Sequence, residues 1–393
     1  QESRGLGDVY KRQVDTPPTP CVFRRVRRGS VGCETVAKEI RYNNCGQGAD
    51  MRVANRNGNL LRAKLRKMDE YYTQYSDIEA EISAYLAYDP DVFRGKVVYC
   101  NCDSPYHSNF FKYFYNNFHM LGLRELIATC YGGLSISGLE AAGMVVGVDS
   151  VAHISLVGDG KYEAGDFRSA QCVEFLERAD IVVTNPPFSL FREFVSLLMK
   201  YQKKFIILGN KNTLASKAIF PLIRENKIWL GYTPMGKNLF FDVPDAVAEV
   251  LLRTGKKGRS YKIVDGKVMG CSAAIWITNL EHNRRMEWLQ LMTMADNLKY
   301  NKKLRGTMAY QRYENYDAIE VPFVDAIPSD YDGVMGVPIS FLDKYNPDQF
   351  EILDANDYRT SSSVPISSSG LARGVINGRS TYARILIRYT NSG

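Results

Sequence analysis

The sequence predicts an α/β protein organised around a mainly parallel, doubly wound sheet. Two observations carry that expectation. From Lys96 to Thr233, short β-branched runs alternate with helical patterns, the order that places helices on both faces of a sheet. Two of the runs, "DIVVTN" and "KFIILGN", are apolar without interruption at their centres, as strands covered on both sides are.

The elements follow in order. In "KMDEYYTQYSDIEAEISAYLAY" (67–88) apolar and small residues recur at helical spacing and stop before Asp89-Pro90, which predicts an amphipathic helix. "KVVYC" (96–100) reads as a strand, and "SNFFKYFYNNFHML" (108–121) as a helix opened by a capping serine. "ELIATCY" (125–131) is a second strand, and the Gly-rich residues 131–160 carry no assignable period. "AQCVEFLERA" (170–179) predicts a helix, "DIVVTN" (180–185) a strand, "SLFREFVSLLMKY" (189–201) a helix and "KFIILGN" (204–210) a strand. "SKAIFPLIREN" (216–226) adds a helix and "KIWLGYT" (227–233) a strand. Near the end, "YRTSSSVPISSSGLARG" (358–374) reads as a mobile loop and "STYARILIRY" (380–389) as a strand.

Composition bounds the function. Charged residues at 24% and hydrophobic ones at 45% suit a water-soluble globular chain, without a long apolar span or an apolar leader, so a cytoplasmic location is expected. Eight cysteines are too few for a disulfide scaffold. Neither Cys21, Cys33 and Cys45 nor Cys100 and Cys102 have the spacing of a zinc site, so no metal is expected.

The net charge of +7 has to be located before it is interpreted. Residues 1–67 hold 15 Lys/Arg and 6 Asp/Glu, whereas the other 326 residues hold 35 and 37. The excess therefore sits in a segment with no consistent period. Residues 1–60 are expected to be disordered or foreign to the fold, and "QESRGLGDVYKRQ" (1–13) has the look of a translated sequencing-adaptor remnant. A basic DNA-binding arm is the functional alternative for this segment.

The chemistry concentrates at the ends of the strands, where a doubly wound sheet binds its ligands. Asn185-Pro186-Pro187-Phe188 follows "DIVVT" at one such end. Two prolines fix φ, remove two donors and hold the turn extended, so the segment is rich in acceptors. An Asn side-chain oxygen and a neighbouring carbonyl can accept both hydrogens of a primary amine, while an aromatic ring stacks on the base that carries it. Such a pair of acceptors localises the amine's lone pair for attack on an electrophile. Asp166, nineteen residues earlier in "GDF", stands at another strand end. The plainer alternatives are a strand-terminating turn at 185–188 and a helix-capping aspartate at 166.

At these residues the chain resembles the EcoRI-type adenine-specific DNA methyltransferases. The resemblance runs from about Leu65 to the C-terminal strand. It rests on "VVYCNCDSPYHSNFFKYF", "LIATCY", "GDFRS", "ADIVVTNPPFSLFREFV", "KKFIILGNKN" and "NYDAIEVPFVDAIPSDYDGVMGVPISFLDKYNPDQFEIL". It implies a class I, Rossmann-like fold that uses S-adenosylmethionine, with a C-terminal DNA-recognition region. Residues 61–234 would be the cofactor-binding catalytic domain and 235–393 the recognition region.

Residue by residue, the resemblance implies that Asn185, Pro186, Pro187 and Phe188 hold a flipped-out adenine for methylation at N6. It implies that Asp166 and Phe167 meet the cofactor's adenine. Asp103 would meet its methionine end, with Ser108 and Asn109 opening a helix towards the cofactor carboxylate. The chain departs from the broader methyltransferase pattern in having no G-x-G in that loop. "LIATCYGG" also ends without the usual ribose-binding carboxylate, leaving Asp149, Glu140 or water as substitutes.

In the second half, "RTGKKGRSYKIVDGK" (253–267) and "KYNKKLRGTMAYQRYENY" (299–316) interleave basic residues with tyrosines and suit phosphate, sugar and base contacts. Double-stranded DNA is the expected partner, with a cognate restriction endonuclease in a restriction–modification or phage setting. A monomer is expected and no membrane is involved. An RNA base or a protein glutamine amide is the alternative substrate, and a non-catalytic nucleic-acid-binding module the alternative class.

Overall fold

A computed structural model describes residues 72–131, 141–243, 245–255, 257–258 and 260–390 of the chain. The expectations for residues 1–60, and for Glu140, lie outside the described residues.

The described chain begins with an edge strand, β1 (Tyr72–Thr73), and the helix α1 (Tyr75–Tyr88). The central region then runs β2 (Val97–Asn101), α2 (Asn109–Asn116), β3 (Glu125–Cys130), β4 (Ala142–Gly147) and β5 (Val151–Ile154). It continues with α3 (Ala170–Arg178), β6 (Ile181–Thr184), α4 (Phe191–Lys200), β7 (Lys204–Asn210), α5 (Phe220–Arg224) and β8 (Trp229–Leu230). The second half contributes β9 (Leu239–Asp242), α6 (Asp245–Thr254), β10 (Tyr261–Val264), β11 (Lys267–Ser272), β12 (Ala274–Thr278) and α7 (Met294–Tyr300). The last strands are β13 (Ile319–Glu320), β14 (Met335–Pro338), β15 (Phe350–Leu353), β16 (Val375–Ile376), β17 (Arg379–Ser380) and β18 (Arg384–Tyr389).

The main sheet has eight strands in the order β5-β4-β3-β2-β6-β7-β12-β8. Its centre, β3-β2-β6-β7, is parallel, as the alternation of strands and helices requires. Its flanks are antiparallel: β4 and β5 form a hairpin beside β3 on one side, and β12, arriving from later in the chain, pairs with β7 and β8 on the other. The sheet is therefore mixed rather than mainly parallel. The unassigned Gly-rich stretch supplies the β4–β5 hairpin, whose strands alternate too weakly in polarity to signal a period.

Helices cover both faces. Val97, Tyr99, Ile127, Val182, Phe205 and Ile207 pack on one side with Leu176 of α3 and Phe191, Phe194 and Leu198 of α4. Val98, Cys100, Leu126, Val183 and Leu208 point the other way, against Ile78 and Ile82 of α1 and Phe110 and Phe114 of α2. The twofold alternation along β2 thus feeds two separate cores.

The expected boundary at residue 234 cuts through this sheet. β12 comes from the later segment and pairs antiparallel with β7, Ile275 opposite Gly209 and Ile277 opposite Ile207. Two smaller sheets, β1-β9-β11-β10 and β13-β14-β18-β15, make up much of the remainder. The Ser/Gly-rich segment 358–374 is largely irregular, as composition suggested, but it is packed: Val364, Leu371 and Ala372 are buried. "KIWLGYT" yields only a two-residue edge strand, since β12 has a partner for it over Trp229–Leu230 alone. No helix among the described residues is long and apolar enough to cross a membrane.

Candidate active site

β2, β3 and β6 run in parallel, so the loops after Asn101, Cys130 and Thr184 open on the same edge of the sheet. Asp103 stands in the first of these loops and is buried. Its Oδ1 accepts the Ser108 hydroxyl at 2.6 Å and its Oδ2 the Thr184 hydroxyl at 2.5 Å. The Asn185 backbone N–H also donates to this carboxylate. Burial pushes the Asp103 carboxyl up to about 6, against the opposing pull of those three donors. The loop expected to meet the cofactor is thereby fastened to the start of the Asn-Pro-Pro-Phe turn.

The absent G-x-G has a structural counterpart. Cys102 takes φ +77°, in the left-handed region that glycine usually fills, where β2 breaks into the loop. Ser108 caps α2, its hydroxyl accepting from the Phe110 N–H at 3.0 Å while donating to Asp103. Asn109 turns away from the loop and donates to the Thr73 carbonyl at 2.8 Å, so its side chain ties α2 to β1.

At the neighbouring position, Asp166 is engaged by Arg168. The guanidinium approaches at 3.0 Å from Nε to Oδ1 and 2.8 Å from the terminal nitrogen to Oδ2, and the Arg168 N–H adds a bond of 2.9 Å. Arg168 also pairs with Glu193 on the first turn of α4, 2.8 Å away. With three of about four carboxylate lone-pair positions used, one acceptor position on Oδ2 remains. Phe167 is buried against Phe194, ring centroids 5.1 Å apart and nearly perpendicular, so its ring belongs to the core, with the Arg168 guanidinium 5.2 Å from its centroid. Gly165 explains the first letter of "GDF". It has φ +78°, and a Cβ there would collide with the Cys130 carbonyl at the end of β3.

The Asn-Pro-Pro-Phe turn sits at the end of β6. Pro186 is buried, and Pro187 precedes a single 3₁₀ turn, Phe188–Leu190, that leads into α4. The Pro187 carbonyl accepts the Leu190 N–H at 3.0 Å. Not every carbonyl of the turn faces outward, therefore: that of Pro187 is engaged within the turn. Phe188 is half-buried.

The substitutes for a ribose contact divide clearly. Asp149 lies at the β4–β5 turn, beside Gly147, which pairs with Glu125 at the beginning of β3. That is the opposite edge of the sheet from the site. Glu163, which spacing did not single out, receives the Tyr131 hydroxyl just beyond the end of β3. Only the fold brings these two residues together.

The recognition segments show a similar division. Tyr313 and Tyr316 are buried, Tyr313 bonding to Glu320, and are unavailable to DNA. Tyr300 is 60% exposed. Among the described residues no group of three or more His, Cys, Asp or Glu side chains is placed to hold a metal.

A parallel-centred sheet with helices on both faces, carrying acidic loops and an Asn-Pro-Pro-Phe turn on one edge, defines a class I methyltransferase. Within that class the family is specific. A family model described as "Adenine-specific methyltransferase EcoRI" matches residues 59–390, and the chain belongs to that family. It is 41% identical over 346 residues to the type II methyltransferase M.EcoRI of Escherichia coli, covering 84% of this chain and 95% of the relative. It is 36% identical over 340 residues to the type II methyltransferase M.MpnI of Mycoplasma pneumoniae, covering 83% and 97%. M.MgeORF184P of Mycoplasma genitalium is 34% identical over 338 residues, again at 83% and 97%. No solved structure matches the chain.

Proposed function

We propose that this protein methylates the N6 amine of adenine in DNA, with S-adenosylmethionine as donor, on a base rotated out of the duplex. The observation that carries the reading is the Asn185-Pro186-Pro187-Phe188 turn, held at the end of a buried central strand and hydrogen-bonded to Asp103. Membership of an adenine-specific family supports the choice of base.

The chemistry of the donor set fits the cofactor. S-adenosylmethionine presents an ammonium, ribose hydroxyls and an adenine amine, and supplies an electrophilic methyl group when bound. Asp103, Glu163 and Asp166 offer carboxylates near the ends of β2 and β3, in positions suited to those three groups. A cation beside Asp103 would offset the burial that holds its carboxyl up, favouring the ionised form. Ser108 supports this loop from α2, Asn109 ties that helix to β1, and Phe167 anchors the Asp166 loop in the core.

On the target side, the Asn185 side-chain oxygen and the Pro186 carbonyl would accept the two hydrogens of the amine. Phe188 would stack on the base. Rigid prolines hold these acceptors in place, so little reorganisation is needed as the nitrogen becomes pyramidal. Rotating the base out costs a few kcal/mol of unstacking, which contacts along the duplex repay. The exposed basic groups of residues 253–267 and 299–316 are suited to those contacts and to target recognition, in a restriction–modification or phage setting.

The test is transfer of labelled methyl groups to unmethylated DNA, followed by digestion to nucleosides and sequencing for modified adenines. N6-methyladenine at a recurring sequence is the expected product. Label on RNA or protein alone, or none under any salt condition, would overturn the reading.

A further inference from the structure

The outer surface of α3 and α4, together with the loop around residues 161–168, encloses a groove of about 570 Å³ beside the candidate site. Lys161, Arg168, Arg192 and Lys200 line it, with Glu193 the one acid among its lining residues. Arg168 is already paired with Glu193 and Asp166. Lys161, Arg192 and Lys200 are exposed and make no ion pair among the described residues. Residues 68–393 hold 35 basic and 37 acidic groups, so this local excess is not inherited from the chain's overall charge.

Two aromatic rings are interleaved with the cations. Lys161 lies 4.9 Å and Arg168 4.7 Å from the centroid of Tyr162, and Lys200 lies 4.9 Å from that of Tyr201. Arg192 is the second residue of α4, just after the Asn-Pro-Pro-Phe turn, and Lys200 is the last. A ten-residue helix is about 15 Å long, a length over which one DNA strand presents roughly four phosphates. Arg192 and Lys200 are eight residues, about 12 Å, apart along the helix, so the cations start at the rim of the site and extend over a length of strand that carries several phosphates.

We propose that this groove is a phosphate-binding track for DNA backbone flanking the target base, outside the C-terminal region where recognition is placed. The inference rests on DNA as the substrate. Phosphate contacts of this kind fix the position of a duplex without reading its sequence.

The test uses the full chain with Lys161, Arg192 and Lys200 all changed to alanine, and measures affinity for a DNA duplex against salt concentration. Losing three phosphate contacts should flatten the slope of log affinity against log salt by about 2.7, with cofactor affinity unchanged. A charge-preserving variant, Lys161→Arg with Arg192→Lys and Lys200→Arg, should keep the wild-type slope and shows that folding is not the cause. Lys96→Ala with Lys112→Ala, away from the groove, should also keep it. A wild-type slope in the alanine variant, or equal flattening in the control, overturns the track. If the wild-type protein binds no DNA, the substrate reading fails with it, and that outcome is visible before any substitution is made.

Discussion

The Thr184 hydroxyl donates to Oδ2 of Asp103 at 2.5 Å, joining the end of β6 to the loop that follows β2. The same hydroxyl lies against the Asn101 carbonyl. Thr184→Val keeps the branched shape and removes the donor, leaving buried acceptors with one partner fewer. A loss of about 1–3 kcal/mol in stability is expected from chemical denaturation. Methyl transfer should slow at saturating cofactor and DNA if the turn holds the amine as proposed, because it has lost a tether. Wild-type rates would show that the link is dispensable for positioning.

Asp103 also makes stability depend on pH. Its carboxyl is held at about 6 in the folded protein, above its usual value of 3.8, so the folded state retains a proton that the unfolded chain releases. The resulting stabilisation is fully present below about pH 4 and is lost as the pH rises through about 6. A two-unit shift corresponds to at most ~3 kcal/mol. Urea unfolding of the wild type and of Asp103→Asn between pH 4 and 7.5 should give curves that converge on one side and diverge on the other. Parallel curves would remove Asp103 as the source.

Asn185→Ala removes one of the two acceptors proposed for the amine. Turnover should drop roughly 10²–10³-fold, the cost of losing a hydrogen-bond partner that acts mainly in the transition state. Cofactor and DNA affinities, measured separately, should change little. Retained turnover would exclude the proposed mechanism.

For Asp166→Ala the order of effects reverses. Cofactor affinity should fall first, by about 10–100-fold if the carboxylate accepts a hydrogen bond from the bound cofactor. An unaltered dissociation constant would confine Asp166 to orienting Arg168.

Cys102 offers a test of backbone strain. A side chain in the left-handed region costs on the order of 1–2 kcal/mol relative to glycine. Cys102→Gly should melt at or above the wild-type temperature, whereas the β-branched Cys102→Val should melt well below it. The opposite ranking would mean that side-chain packing outweighs backbone conformation at this turn.

Much of the architecture was legible because it is local. The apolar runs at 181–184 and 204–210, the capping serine at 108 and the two prolines at 186 and 187 each announce themselves within a few residues. What stayed hidden depends on distant partners. Asp103 and Thr184 are 81 residues apart, and Arg224 meets Asp354 across 130. Glu81 reads as a solvated position on an amphipathic helix. It is buried, accepting the Tyr232 and Thr233 N–H groups at 2.7 and 2.8 Å. Tyr313 and Tyr316 resembled DNA contacts because a basic, aromatic segment does not disclose which of its rings face inward. The β4–β5 hairpin lacked a period, since its outer strand is mostly exposed.

The placement of β12 has a consequence for biosynthesis. β7 is the last strand of the parallel centre, and its free edge is covered only when Ala274–Thr278 arrives. A nascent chain that has already formed the Asn-Pro-Pro-Phe turn still presents "KFIILGN" as an open sheet edge while residues 211–273 are being made. Such an edge is a template for pairing with other chains. Translation that stops before residue 274 would leave the Asn-Pro-Pro-Phe turn complete and the sheet unsealed, yielding an aggregation-prone fragment instead of a smaller working unit.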